Sequence, residues 1–161
     1  MSKISYIVTD TLAVIKLSGE VRLLSSAVLE EAYRLVSEQR QSQPLWIDLT
    51  ESFNLDSTIY GTIAKFCLLE AGNHQITLYY THENIYKQLH TLGIEHLCLL
   101  KRSATFISEV DERWHELVEK EVDKDELKLQ VQHAHQILAK LSPSQAMQLV
   151  VDQISKNTRN H

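Results

Sequence analysis

Cysteine, proline and glycine are all scarce in these 161 residues, which contain two, two and four of them. The two cysteines, Cys67 and Cys98, each sit inside an apolar run, KFCLLE and HLCLL. That pattern excludes a disulfide framework or a zinc site and fits reduced core cysteines. Basic residues are outnumbered, sixteen against twenty-one acidic ones, for a formal net charge of −5. The balance argues against a nucleic-acid module, which carries a basic face, and against an anionic membrane surface as partner. No apolar run approaches the roughly 20 residues of a membrane-spanning helix. The opening MSKISYIVTD lacks an apolar h-region and a small-residue cleavage site, so no secretory leader is expected. What is present is ordinary for a globular chain: 43% apolar and 23% charged residues, enough to build one core, or one small domain with an appendage.

All four glycines, Gly19, Gly61, Gly72 and Gly93, fall before residue 94. The turns therefore lie in the first hundred residues, and a boundary is expected near Lys101 to Ser103. Ile4, Tyr6 and Val8 alternate with less apolar neighbours, as in a half-buried strand. Leu12 to Leu17 forms a second run, ended by Ser18-Gly19. Ser25 or Ser26 then caps a helix to about Arg40, with Leu29, Ala32, Val36 and Tyr33 inward. Pro44 stops it, and Leu45 to Leu49 reads as a buried strand, followed by a polar loop at Thr50 to Asn54. A second helix is expected from about Ser57 to Ala71, with Ile63, Phe66, Cys67 and Leu69 inward and Gly72-Asn73 closing it. Ile76 to Tyr80 is a strand, His82 to Leu92 a helix capped by Thr81, and Leu97 to Leu100 a last short strand. Strand and helix alternation of this kind indicates an α/β layer fold.

The remainder reads as helical. Ile107, Val110, Trp114 and Leu117 are spaced 3, 4, 3, and Leu127, Val131, Ala134, Leu138 and Leu141 form a heptad-like stripe. Asp123 with Glu126 caps the second of these helices. Ser142-Pro143-Ser144-Gln145 opens a third, with Met147, Val150, Val151 and Ile154 as its apolar face. Folding back as a small antiparallel bundle is the expectation for the stripe. Dimerisation or docking of a partner on it stands as the alternative.

Catalytic constellations are absent. There is no GxGxxG, no GxxxxGK[ST] and no GxSxG, and neither cysteine has a catalytic setting. His133 and His135 lie about 200° apart on a helix and cannot share an ion. His115 and Glu119 are four apart but lack the second histidine of a zincin motif, so both pairs read as solvated helix faces. No metal, no cofactor and no enzyme activity are expected. One local feature stands out, Leu55-Asp56-Ser57-Thr58 at the exit of a buried strand and the start of a helix. By itself it reads as an N-cap, supplied by Asp56, Ser57 or Thr58.

Four segments in order carry a resemblance. Leu17-Ser-Gly-Glu20, Trp46-Ile-Asp-Leu49, Leu55-Asp56-Ser57-Thr58, and Leu92-Gly93-Ile94 with Leu97 resemble the signature segments of STAS-domain proteins, and among them the bacterial anti-sigma factor antagonists. The likeness covers about residues 4–101. Ile59 stands where many members have glycine, Gly61 matches, and Val21 and Arg22 replace an acidic position. The resemblance implies a STAS-like mixed β-sheet with helices packed on it over 1–102, followed by an all-helical extension over 103–161. It further implies a cytoplasmic, non-enzymatic switch that regulates transcription. The unmodified form binds an anti-sigma factor that is often also the serine kinase. Phosphorylation at Ser57 releases it, and a metal-dependent serine/threonine phosphatase, sometimes part of a response regulator, restores binding. On that likeness Asp56, Ser57, Thr58, Tyr60 and Gly61 form the partner surface, and Thr58 is either a second phosphorylation site or a plain helical residue. The alternative within the family is a subunit of a transport or stressosome-like complex.

Overall fold

The computed structural model describes residues 3–21, 25–103, 113–118 and 123–141. Six strands form one mixed sheet: β1 (Lys3–Val8), β2 (Ala13–Val21), β3 (Leu45–Leu55), β4 (Thr77–Tyr80), β5 (Leu99–Arg102) and β6 (His115–Leu117), in the order β5-β4-β3-β2-β1-β6. β1 is antiparallel to β2 and β6, whereas β2 to β5 run parallel. The parallel strands are joined by α1 (Ser26–Gln39), α2 (Ser57–Glu70) and α3 (Glu83–Thr91). Successive right-handed crossovers in one direction put these helices on the same face of the sheet. Ala13, Ile15, Leu17, Leu45, Ile47, Leu49 and Leu78, all essentially inaccessible, alternate toward that face. They meet Leu29, Ala32 and Val36 of α1 and Ile59, Ile63 and Phe66 of α2 in one core. The opposite face carries the half-buried Lys16, Trp46 and Tyr79, and the two rings lie 4.7 Å apart.

α1 and α2 are also fastened by polar groups. Tyr33 stacks on Phe66 at 4.2 Å, and both its hydroxyl and the Arg40 guanidinium reach the buried Glu70 carboxylate. Burial and the Glu70 carboxylate together raise the Tyr33 phenol above its usual range.

Several expected boundaries differ. β2 does not stop at Ser18-Gly19, nor β3 at Leu49. The two strands continue side by side to Val21 and Leu55 with two register shifts. Gly19, at φ +80°, accommodates the irregularity at little steric cost. The polar stretch after Leu49 is no loop because its hydroxyls are satisfied within the sheet. Ser52 Oγ donates to the Leu17 carbonyl at 2.7 Å, and Thr50 donates through N–H and Oγ1 to Asp48 Oδ1. Leu69, expected inward, is 38% exposed, and Glu70 beside it is buried instead.

The largest difference lies in the extension. Trp114 and Leu117, expected on a helix, belong to an extended segment, and His115–Leu117 pairs with the free edge of β1. An uncovered edge strand demands a partner, which helical spacing does not report. His115 stacks on Tyr6 at 5.0 Å, so it shares no helix face with Glu119, which lies outside the described residues. α4 (Lys124–Lys140) forms as expected, with the Asp123 side chain accepting from the Asp125 N–H. Its stripe lies against α2. Ile107, Val110 and the expected third helix from Ser142 lie outside the described residues.

Candidate functional site

The long β3 delivers the chain to the start of α2. There the Asp56 N–H donates to the Val21 carbonyl at 3.3 Å, fixing the exit of β3 to the end of β2. Asp56 is the N-cap: its backbone is extended, its Oδ1 accepts the Ile59 N–H at 3.0 Å, and its carbonyl accepts the Tyr60 N–H. This resolves which of the three candidates caps the helix. The half-buried carboxylate occupies one of the donors that a helix N-terminus otherwise leaves free.

Ser57 is the first helical residue and is exposed. The residues after it are not. Thr58 is 4% exposed, Tyr60 2%, and Gly61 is buried. Burial pushes the Tyr60 phenol well above its usual range, and its hydroxyl has no hydrogen-bond partner. Of the five residues singled out in the sequence, the fold thus brings all to one helical turn and a half but leaves only Ser57 fully open.

One contact was not legible in the sequence. The Ser57 hydroxyl lies 3.0 Å from His135 Nε2 on α4, 78 positions away. His133 and His135 sit two apart on α4, and His135 faces Ser57 instead of solvent alone. A signal was available in the small pair Gly61 and Ala134. A side-chain carbon on Gly61 would come within 2.6 Å of both the Ala134 Cβ and its carbonyl oxygen, so this glycine is where α4 crosses α2.

Nothing else in the described residues competes as a site. They hold no group of three His, Cys, Asp or Glu side chains arranged to take a metal ion. Cys67 and Cys98 are buried free thiols, and the neighbouring Cys98 thiol, together with burial, raises the Cys67 thiol well above its usual range. None of the described helices is long and apolar enough to cross a membrane.

No family model and no curated relative matches the sequence. Among solved structures the chain is similar to an anti-sigma factor antagonist from Mycobacterium paratuberculosis. The TM-score is 0.57 at 20% identity, over 65% of this chain and 88% of that one. The fold is the STAS-like one that the four sequence segments implied.

Proposed function

We propose that this protein is an anti-sigma factor antagonist, a cytoplasmic protein-binding module without catalytic activity, switched by phosphorylation of Ser57. The observation that carries the reading is an exposed serine hydroxyl on the first turn of α2, directly after a capping aspartate, in a fold shared with such an antagonist. Unphosphorylated, the module binds an anti-sigma factor that doubles as its serine kinase. A serine/threonine phosphatase resets it. Thr58 is buried, which favours Ser57 as the acceptor.

The physics of the switch is local. A phosphoryl group adds about −1.5 to −2 charges at a helix N-terminus, where the dipole and free N–H groups tolerate it. The fold therefore survives. Beside the Asp56 carboxylate, however, the dianion repels an acidic or apolar partner and costs too much to bury at an interface.

Titration of purified anti-sigma factor kinase tests the reading. Ser57→Ala is expected to bind at least as tightly as wild type does and to keep binding after incubation with Mg-ATP. Ser57→Glu is expected to bind more weakly, though a carboxylate carries less charge than phosphate. Loss of binding with Mg-ATP in Ser57→Ala would place the switch elsewhere, and binding that ignores phosphorylation would favour a scaffold role in a larger complex.

A further inference from the structure

α4 covers the face of α2 that follows Ser57. At the crossing both helices are stripped of side chain: Ala134 lies against Gly61, with no room for another carbon between them. Two polar ties flank the crossing. Ser26 Oγ donates to Gln130 Oε1 at 3.1 Å at the start of α1, and His135 Nε2 meets Ser57 Oγ at 3.0 Å at the start of α2. Toward the end of the helix, Ile137 and Leu141 are buried in the domain core. The attachment is one-sided. An open groove of about 730 Å³ remains between α1 and α4, and Leu129 stands 65% exposed. Val131 and Leu138 are only half-buried, while Asp125, Glu126, Lys128 and Lys140 are exposed to solvent.

We propose that α4 is a displaceable latch, occupying in the free protein the α2 surface that the anti-sigma protein takes in the complex. This rests on the reading of the Ser57 end of α2 as the partner surface. Thr58, Tyr60 and Gly61 of that surface are buried, and whatever approaches Gly61 meets Ala134 first. Binding then requires α4 to leave, and the apparent affinity falls by the fraction of molecules whose latch is open. The Ser57 hydroxyl is at once the latch's polar tie and the phosphoryl acceptor. The latch therefore holds the atom that the switch modifies. A helix of this length is marginal alone in water, so α4 released from α2 also loses its helical hydrogen bonds.

Amide hydrogen exchange on the full chain, alone and with purified anti-sigma factor kinase, reads the state of α4, and a titration gives Kd. The wild-type protein is expected to protect the amides of Lys124–Lys140 and to lose that protection when the kinase is added. Ala134→Leu, too large to lie on Gly61, exchanges freely in α4 without the kinase and binds it about ten-fold more tightly or better. His135→Ala, an exposed change that leaves the packing intact, binds about two- to ten-fold more tightly through loss of one hydrogen bond. Retained protection of α4 in the complex overturns the latch and leaves the functional reading standing. So does an unchanged Kd in Ala134→Leu whose α4 exchanges freely. Absence of binding by the wild type and both variants overturns the functional reading, and the latch with it.

Discussion

Asp56 and Ser57 divide the start of α2 between structure and chemistry. The Asp56 carboxylate holds the Ile59 N–H, and its backbone ties β2 to the helix, while the exposed Ser57 hydroxyl reaches His135 on α4. Asp56→Ala is expected to lower stability by about 1 kcal/mol through loss of the cap. Ser57→Ala, which gives up one exposed hydrogen bond to His135, is expected to lower stability by no more than about 1.5 kcal/mol. Thermal denaturation of the two variants checks both, and a large loss in Ser57→Ala would make the serine structural. The Asp-Ser-Thr tripeptide announced a helix start, because capping is local chemistry between residues three apart. It did not say which residue caps, since all three side chains carry an acceptor oxygen. His135 was beyond reach for another reason: its contact with Ser57 depends on where a helix 78 positions later comes to rest.

At the level of elements, the decisive contact is α4 on α2. Glycine within a helix ordinarily costs about 1 kcal/mol relative to alanine, so Gly61→Ala would stabilise a free α2. Here the added carbon meets Ala134 backbone at 2.6 Å, and overpacking of that kind costs about 1–3 kcal/mol. The second effect wins. Gly61→Ala is expected to lower the unfolding midpoint and to speed proteolysis within α4. A raised midpoint with α4 still protected would contradict the close crossing. The helices were legible because their apolar spacing is regular and their caps are local. β2 and β3 were read short because Ser52 and Thr50, polar in sequence, are buried with backbone or side-chain partners. β6 was misread because three residues pairing with an edge strand leave no periodicity, and the 3, 4, 3 spacing through Trp114 and Leu117 suggested a helix.

For the whole molecule, the division into a domain over 1–102 and an extension over 103–161 becomes a question of how much the extension contributes. β6 closes one edge of the sheet, and α4 buries Ile137 and Leu141 in the same core. A fully buried side chain of this size contributes about 1.5–3 kcal/mol. A chain ending at Ser103 retains β1 to β5 and is expected to unfold cooperatively, at a lower denaturant midpoint, its unfolding free energy reduced by several kcal/mol of lost burial. An unchanged midpoint would mean that α4 is not seated on α2 in solution. The α/β architecture was readable from the alternation of elements, and the STAS likeness from four short segments. Where the tail lies was not, because an apolar stripe states that it must be covered and not by what. The central claim, that α2 presents Ser57 as the acceptor of a protein-binding switch, is tested most directly by phosphopeptide mapping. The full chain is incubated with the anti-sigma factor kinase and Mg-ATP, and the modified peptides are sequenced by mass spectrometry. The account predicts a single phosphoryl group on Ser57. Stoichiometric phosphate on any other residue, with Ser57 unmodified, would contradict it.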